Sequence, residues 1–225
     1  MAQSLDIATV ARLFGDPSRL AMLEVLMDGQ EHPVGALART ARIAPSTAIE
    51  HVHRLEEGGL VVTQREGRRR LVRLAEPGVA AAFEVLGHLS AEKPTAGLRA
   101  VTRRQQLAAA RTCYDHLAGR LGVAIADAAQ SAGALEPDFP INLERATWFG
   151  QFGVDVDTLA PGRRPLLRIC VDWTERREHL AGALGSAICS AVLSAGWVVQ
   201  RPSSRALALT PAGEARLRQI GVRTD

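Results

Sequence analysis

The sequence has few cysteines, and their number and spacing argue against a disulfide framework. The 225 residues include three, Cys113, Cys170 and Cys189, an odd number spread widely along the chain. Residues 1–16 lack a basic stretch followed by an apolar core, so we expect no secretory signal and a cytoplasmic, reducing environment. No glycine-rich phosphate loop, nucleophile elbow or zinc-protease signature occurs, and these absences disfavour the common enzyme classes.

The composition predicts a globular chain that is long enough for two domains. Hydrophobic residues make up 47% and charged residues 23%, and Lys93 is the single lysine among 27 basic residues. Residues 1–90 contain ten arginines and eleven acidic residues (net −1), whereas residues 91–225 contain 17 basic and 13 acidic residues (net +4). This balance points only weakly to nucleic acid, so local clusters of arginine are more informative.

The N-terminal quarter shows the signals of four helices. Asp16-Pro17 is a typical helix start, because aspartate caps the first turn and proline suits the first helical position. Gly29 and Gly58-Gly59 are typical of helix ends. From the apolar spacing and these signals, the helices are predicted at Leu5–Phe14, from Pro17 to Asp28-Gly29, from Pro33 to Ala38, and from Ala44 to Gly58-Gly59.

The periodicity changes from helix to strand after Gly59. Leu60–Thr63 is apolar and β-branched, Glu66–Arg68 is a turn signal, and Arg69–Leu74 alternates as a return strand. Pro77 then begins a further helix. The series of helix, short helix, turn, helix and arginine-tipped hairpin predicts a winged helix-turn-helix domain over residues 1–90.

In such a domain the fourth helix enters the major groove of DNA and the hairpin, or wing, lies along the phosphate backbone. Arginines there would make binding salt-sensitive, although a solvated hairpin without a ligand is the alternative interpretation of the same charges. The predicted DNA-binding residues are Ser46, Thr47, Glu50, His51, His53, Arg54, Arg65, Arg68, Arg69 and Arg70.

The stretch Leu13–Leu74 resembles the DNA-binding domain of ArsR-family bacterial transcriptional regulators. The matching pieces are LFGDPSRLAMLEVL, VGALARTARIAPSTAIEHVHRLEEGGLV and the wing REGRRRLVRL. The resemblance implies a homodimer joined through the first and last helices of the domain, and a repressor released from DNA by a small effector. The cysteine pair of many metal-sensing members is absent, because the third helix begins VGALA, and the last helix offers only Glu84 and His88.

The second half of the sequence contains a duplication. Residues 116–135 and 179–198 are identical at twelve of twenty positions, and both copies begin His-Leu-Ala-Gly. We predict a linker at 91–104 and a regulatory domain at 105–225, whose halves, 105–157 and 168–225, pack with approximate two-fold symmetry. The first copy contains Arg120 and Asp127, so the equivalent uncharged stretch Leu180–Val199 is predicted to be a buried helix rather than a membrane span.

Cysteine and histidine residues recur near the start of each copy. Cys113 lies three residues before His116, which predicts a shared helical face, and Cys170 precedes His179, with Asp172-x-x-Glu175 as a capping signal. Two thiols and two imidazoles could hold zinc or another transition-metal ion tetrahedrally if the halves meet there. The alternative is that the cysteines are small buried residues and the histidines brace their own helices.

Aromatic residues suggest a different effector. Six of the nine lie between residues 114 and 173, and Tyr114, Trp148 and Trp173 could line a pocket for an organic ligand, or could simply belong to a dense core. A third possibility is a thiol- or metal-dependent enzyme that uses Cys113 and His116. The sequence thus predicts a mainly α protein with small β-hairpins, an N-terminal winged helix-turn-helix and a C-terminal domain of two tandem helix/hairpin repeats, which binds double-stranded DNA and a small effector.

Overall fold

A computed structural model describes residues 6–67, 69–90, 98–159, 164–202 and 204–224, with the side chains of residues 99 and 100 excepted. The chain divides into two compact units, Met1–Ala80 and Ala81–Asp225. Each unit has its own buried core, and each is described separately below. The domain boundaries predicted at residues 90 and 104 stay predictions.

The first unit has the predicted order of helices followed by a hairpin. Its elements are α1 (Ile7–Phe14), α2 (Pro17–Leu26), β1 (His32–Pro33), α3 (Val34–Ala41), α4 (Pro45–Glu57), β2 (Val61–Glu66) and β3 (Arg69–Leu74). The three strands form one antiparallel sheet in the order β1-β3-β2. The predicted cap is present, because a side-chain oxygen of Asp16 accepts a hydrogen bond from the backbone N–H of Arg19 at 2.9 Å.

Apolar side chains from the helices and the sheet form the core of this unit, to which α1 contributes Phe14. Met22 and Leu26 of α2, Leu37 of α3 and Val52 of α4 are completely buried, and so is Val72 of β3. This shared core fixes the angle between α3 and α4, which are joined by the short turn Arg42–Ala44. Arg42 adopts a left-handed backbone conformation (φ 56°) that ends α3.

The second unit begins within α5 (Pro77–Leu89), because the boundary between the units falls between Ala80 and Ala81. The predicted linker is partly helical, since α6 begins at Leu98. The remaining elements are α6 (Leu98–Ala109), β4 (Arg111–Cys113), β5 (His116–Ala118), α7 (Arg120–Ser131), 3-10 helices at Leu143–Phe152 and Val156–Thr158, β6 (Arg168–Val171), β7 (Glu178–Ala181), α8 (Gly182–Ser194), β8 (Val198–Gln200), β9 (Leu207–Leu209) and α9 (Pro211–Gln219).

The duplicated sequence corresponds to a repeated hairpin and helix. Strands β4 and β5 precede α7, and strands β6 and β7 precede α8. Each helix packs against the hairpin of the other copy, α7 against β7 and α8 against β5. Two equivalent glycines permit this approach. A Cβ atom added at Gly122 would lie 3.6 Å from Cβ of His179, and one added at Gly185 would lie 3.3 Å from Cβ of His116.

The repeated sequence therefore begins in a strand and not, as predicted, in a long helix. His116 and His179 lie in β5 and β7, and the helices start only at Arg120 and Gly182. The predicted hairpin near residue 200 is confirmed as β8 and β9, with Val198 paired to Leu209. No helix in the described ranges is long and apolar enough to cross a bilayer, because α8 spans 13 residues.

Candidate nucleic-acid interface and Cys–His centre

The fourth helix presents the predicted polar residues on the side opposite its core contacts. Ala48, Val52 and Leu55 anchor α4 in the first unit. Ser46, Glu50, His53 and Arg54 are exposed, whereas Thr47 and His51 are half-buried. The helix begins at Pro45 without a side-chain cap, so its first backbone N–H groups have no capping partner. Such an end suits an anionic phosphate group.

Arg19 connects α4 to the rest of the helical core. Its buried guanidinium donates to the carbonyl oxygens of Leu13 (2.9 Å) and Arg12 (2.8 Å). One of its nitrogens lies 3.4 Å from Nδ1 of His51. His51 is therefore partly committed to an internal contact that no local sequence pattern indicates.

Of the three described wing arginines that are predicted DNA contacts, two are free and one is paired; Arg73 of β3 is also paired, with Glu31 at 3.6 Å. Arg65 and Arg69 are exposed, and neither has an ion pair among the described residues. Arg70 instead donates to Glu56 at 2.6 Å and to the hydroxyl of Thr63 at 3.2 Å. The predicted contact Arg68 lies outside the described residues. The three described arginines thus differ in the charge that they offer to a phosphate.

A groove separates the wing from the helices and is open to solvent. Its volume is about 760 Å³, and the residues that line it come from the starts of α3 and α4 and from the wing. They include Val34, Pro45, Ile49, Arg65 and Arg69. The groove therefore has an apolar floor and a cationic edge on one side.

The second unit brings together the four predicted metal ligands. Cys113, His116, Cys170 and His179 are all buried, and their candidate ligand atoms lie within 4.8 Å of one another. Each hairpin contributes one facing pair, because Cys113 pairs in register with His116 and Cys170 with His179. The two imidazoles stack with their centroids 5.1 Å apart. The cluster therefore sits where the two copies of the repeat meet.

The prediction that Cys113 and His116 lie together because they share a helical face was wrong. Cys113 and His116 do not share a helical face; they are cross-strand neighbours on either side of a two-residue turn. The second hairpin keeps the same pairing with a longer turn between Cys170 and His179, so the cysteines do not align in the sequence repeat. Asp172 caps this turn and not a helix, since its carboxylate accepts from the backbone N–H groups of Thr174 and Glu175.

Several nitrogen atoms in the cluster have no hydrogen-bond partner. Among the described residues, Nε2 of His116 and both ring nitrogens of His179 are buried and make no hydrogen bond, although Nδ1 of His179 lies 4.0 Å from the carboxylate of Asp172. A buried polar group without a partner is destabilising, so such atoms call for a ligand. Burial and a hydrogen bond with Cys170 raise the pKa of Cys113, which keeps it a thiol until something displaces its proton.

Asp115 fixes the orientation of one imidazole. Its carboxylate lies 3.3 Å from Nδ1 of His116 and is paired with Arg164. Partial burial opposes ionisation, but these hydrogen bonds with His116 and Arg164 lower the pKa of Asp115. A carboxylate on one ring nitrogen directs the other nitrogen of a metal-binding histidine to the ion, and here that nitrogen is the unpartnered Nε2.

The predicted aromatic pocket residues occupy different surroundings. Trp148 packs edge-on against Phe149 and Phe152, each at 5.3 Å between ring centroids, as part of the core of the second unit. Trp173 lies over the guanidinium of Arg111 at 5.2 Å. Tyr114 is half-buried in the turn between β4 and β5. No ring contact among the described residues joins these three, and their role in a pocket stays a prediction.

The fold of the first unit and its cationic groove define a class, the winged helix-turn-helix DNA-binding proteins. A family model described as a helix-turn-helix domain matches residues 14–64. The HTH-type transcriptional regulator YdfF of Bacillus subtilis is 38% identical over 212 residues, which cover 93% of this chain and 94% of that protein. The chain therefore belongs to the family of HTH-type transcriptional regulators. This confirms the predicted class, and these relatives are regulators and not enzymes.

Three further relatives or solved structures match a smaller share of the chain. The regulator Rv0324 of Mycobacterium tuberculosis is 33% identical over 81 residues, or 36% of this chain and 35% of that one. A solved structure from Mycobacterium bovis, described as the homodimeric winged helix-turn-helix domain of a possible ArsR-family regulator, is 29% identical and covers 42% of this chain and 98% of its own (TM-score 0.35). Reduced HlyU from Vibrio cholerae is 27% identical over 38% of this chain and 90% of its own (TM-score 0.35).

Proposed function

We propose that this regulator is a sequence-specific DNA-binding repressor of the ArsR type, and that a transition-metal ion held by Cys113, His116, Cys170 and His179 controls its affinity for DNA. The observation on which the metal proposal depends is the convergence of four buried ligand atoms within 4.8 Å. Unpartnered imidazole nitrogens at the same place support it. The ArsR-like motifs support the repressor role.

The DNA contacts divide into two sets. Polar residues of α4 would read the major groove: Ser46, Glu50, His53 and Arg54, which are exposed, and Thr47 and His51, which are half-buried. The wing would bind DNA phosphates through its arginines, chiefly Arg65 and Arg69, because Arg70 is paired with Glu56. Arg68, which lies outside the described residues, belongs to the same proposed set by its sequence position between Gly67 and Arg69.

A homodimer is supported by apolar surface on the two helices that the resemblance singles out. Ile7 and Val10 of α1 are exposed, and so are Val85, Leu86 and Leu89 of α5. Exposed apolar residues grouped on one element are typical of protein–protein contacts. Two copies joined there would present two recognition helices to successive major grooves.

The donor set favours zinc or another ion that accepts tetrahedral sulfur and nitrogen ligands. Such an ion, with bonds of about 2.0–2.3 Å, sets its ligand atoms about 3.3–3.8 Å apart. The ligand atoms here lie within 4.8 Å of one another, so binding requires shifts of up to about 1 Å in their separations. Two thiolates would neutralise a divalent ion in this buried site, and the reducing cytoplasm would keep them available.

Metal content is the direct test of the centre. Protein purified under reducing conditions without a metal-affinity tag should contain one zinc ion per chain by elemental analysis. Cys113→Ser and His116→Ala should lose the ion. Cys189→Ser is a matched control, because Cys189 is buried in α8 but lies outside the cluster. Cobalt substitution should give the visible absorption of a tetrahedral thiolate complex, and metal-free protein after zinc loading would contradict the proposal.

DNA binding is tested separately by a mobility-shift assay. Metal-free protein should retard a fragment from upstream of its own gene more strongly than unrelated DNA of equal length, and zinc should release it. Release of the DNA by an organic compound but not by zinc would contradict metal control and would indicate an organic effector. Equal retardation of both fragments would contradict sequence-specific recognition.

A further inference from the structure

Four buried charges form an ion cluster beside the Cys–His centre. One nitrogen of Arg111 lies 2.9 Å from Glu84 and 3.0 Å from Asp172, and Arg205 donates to Glu84 at 3.1 Å. All four side chains are within 4% of complete burial. Their charges, two positive and two negative, balance. Buried charges of this kind are costly to separate, so the members must move together or lose their partners.

This buried ion cluster is attached to both cysteine strands. Arg111 lies in β4, two residues before Cys113, and Asp172 lies two residues after Cys170. Arg205 also donates to the carbonyl oxygen of Thr112, next to Cys113. Asp172 accepts in addition from the backbone N–H of Gly119, so the cluster joins the two hairpins directly. A shift of the hairpins around a metal would therefore reach Arg111 and Asp172.

The remaining member of the cluster is on a different element. Glu84 lies on α5, the helix that begins in the winged-helix unit at Pro77 and continues into the second unit past Ala81. Its carboxylate is completely buried, and both described partners are the arginines of the cluster. Glutamate is almost never buried completely unless its charge is paired, as that of Glu84 is here.

We propose that Glu84 couples metal occupancy of the Cys–His centre to the position of α5, and through α5 to the DNA affinity of the winged helix. This inference rests on the proposed metal control. Metal binding would shift the two hairpins until the four ligand atoms take tetrahedral separations, Arg111 and Asp172 would follow, and Glu84 must follow Arg111 to stay paired. Because α5 is a continuous helix, a shift at Glu84 is transmitted to Pro77 with little loss.

The test compares one ratio between variants: the dissociation constant for DNA with zinc divided by that without zinc. In the wild type this coupling factor should fall in the usual range of about 5- to 150-fold. Glu84→Gln should lower it to less than about twofold, while zinc affinity measured by competition with a chromophoric chelator stays within about threefold of wild type. Glu178→Gln, which changes an exposed carboxylate beside His179, should keep the wild-type factor.

The outcomes separate the two proposals. No zinc effect on the wild type would contradict the proposed function, whereas an unchanged coupling factor in Glu84→Gln would overturn this inference alone. If Glu84→Gln shows no cooperative melting, Glu84→Asp replaces it, because that variant keeps the charge but loses the reach to two arginines. Its coupling factor should fall at least about threefold, and a wild-type value in a folded Glu84→Asp protein would overturn the inference.

Discussion

The free arginines of the wing should set the salt dependence of DNA binding. Arg65 and Arg69 are exposed and have no ion pair among the described residues, whereas Arg70 is held by Glu56 at 2.6 Å. Replacing Arg69 with alanine should weaken binding to every DNA sequence by a similar factor, because it removes a phosphate contact and no contact to a base.

The magnitude follows from counterion release. Each neutralised phosphate contributes about 0.9 to the slope of log affinity against log salt concentration, so two copies of Arg69→Ala in a homodimer should reduce that slope by about 1.8. Between about 50 and 200 mM salt, the wild type should therefore lose about 12-fold more affinity than the variant.

Fluorescence anisotropy with a labelled duplex at four or more salt concentrations measures this slope. The control is the double variant Glu56→Gln/Arg70→Ala, which removes a paired cation and anion without changing the net charge. Its slope should stay within about 0.3 of the wild-type value. Equal slopes for the wild type and Arg69→Ala, or a larger change in the control, would refute the assignment of Arg69 to phosphate.

Three further predictions concern stability. Gly122→Ala should cost about 1–3 kcal/mol, because its Cβ would lie 2.5 Å from the carbonyl oxygen of Leu117, while Gly150→Ala, with nothing within 4 Å, should melt like the wild type. Asp16→Ala should cost about 1 kcal/mol in urea unfolding by removing the cap of α2, and an unchanged midpoint would contradict that role. Burial opposes the charge of Glu84, but the arginines of the buried ion cluster outweigh burial and lower the pKa of Glu84. The ionised carboxylate therefore stabilises the folded protein above about pH 4.3, and this stabilisation is lost as the pH falls through the lowered pKa. Thermal melts from pH 7 to pH 3 should show this loss, and Glu84→Gln should show a shallower one.

The winged helix could be predicted closely because its signals are local. Asp16-Pro17, Gly58-Gly59 and the alternation after Gly59 each act over a few residues, and they agree with the observed bounds of α2, α4 and the hairpin. Ion pairs between residues far apart in sequence could not be predicted, such as that between Glu56 and Arg70, which are fourteen residues apart. Nothing in the local pattern distinguishes this arginine from the free Arg69.

The Cys–His centre shows how residue types can be predicted when their geometry cannot. The four predicted residues converge in the structure, yet the spacing of three between Cys113 and His116 suggests a helix where a two-residue turn joins two strands. Short strands of three residues leave almost no periodic signal. Glu84 and Arg111 were missed as partners because 27 residues separate them and each looks like an ordinary surface charge in sequence.

The affinity of the reduced protein for its own upstream DNA, with and without one equivalent of zinc, tests the central claim most directly. The account predicts that zinc weakens binding by about 5- to 150-fold. It also predicts that this effect disappears in Cys113→Ser and persists in Cys189→Ser. Identical affinities for metal-free and fully zinc-loaded wild-type protein would contradict it.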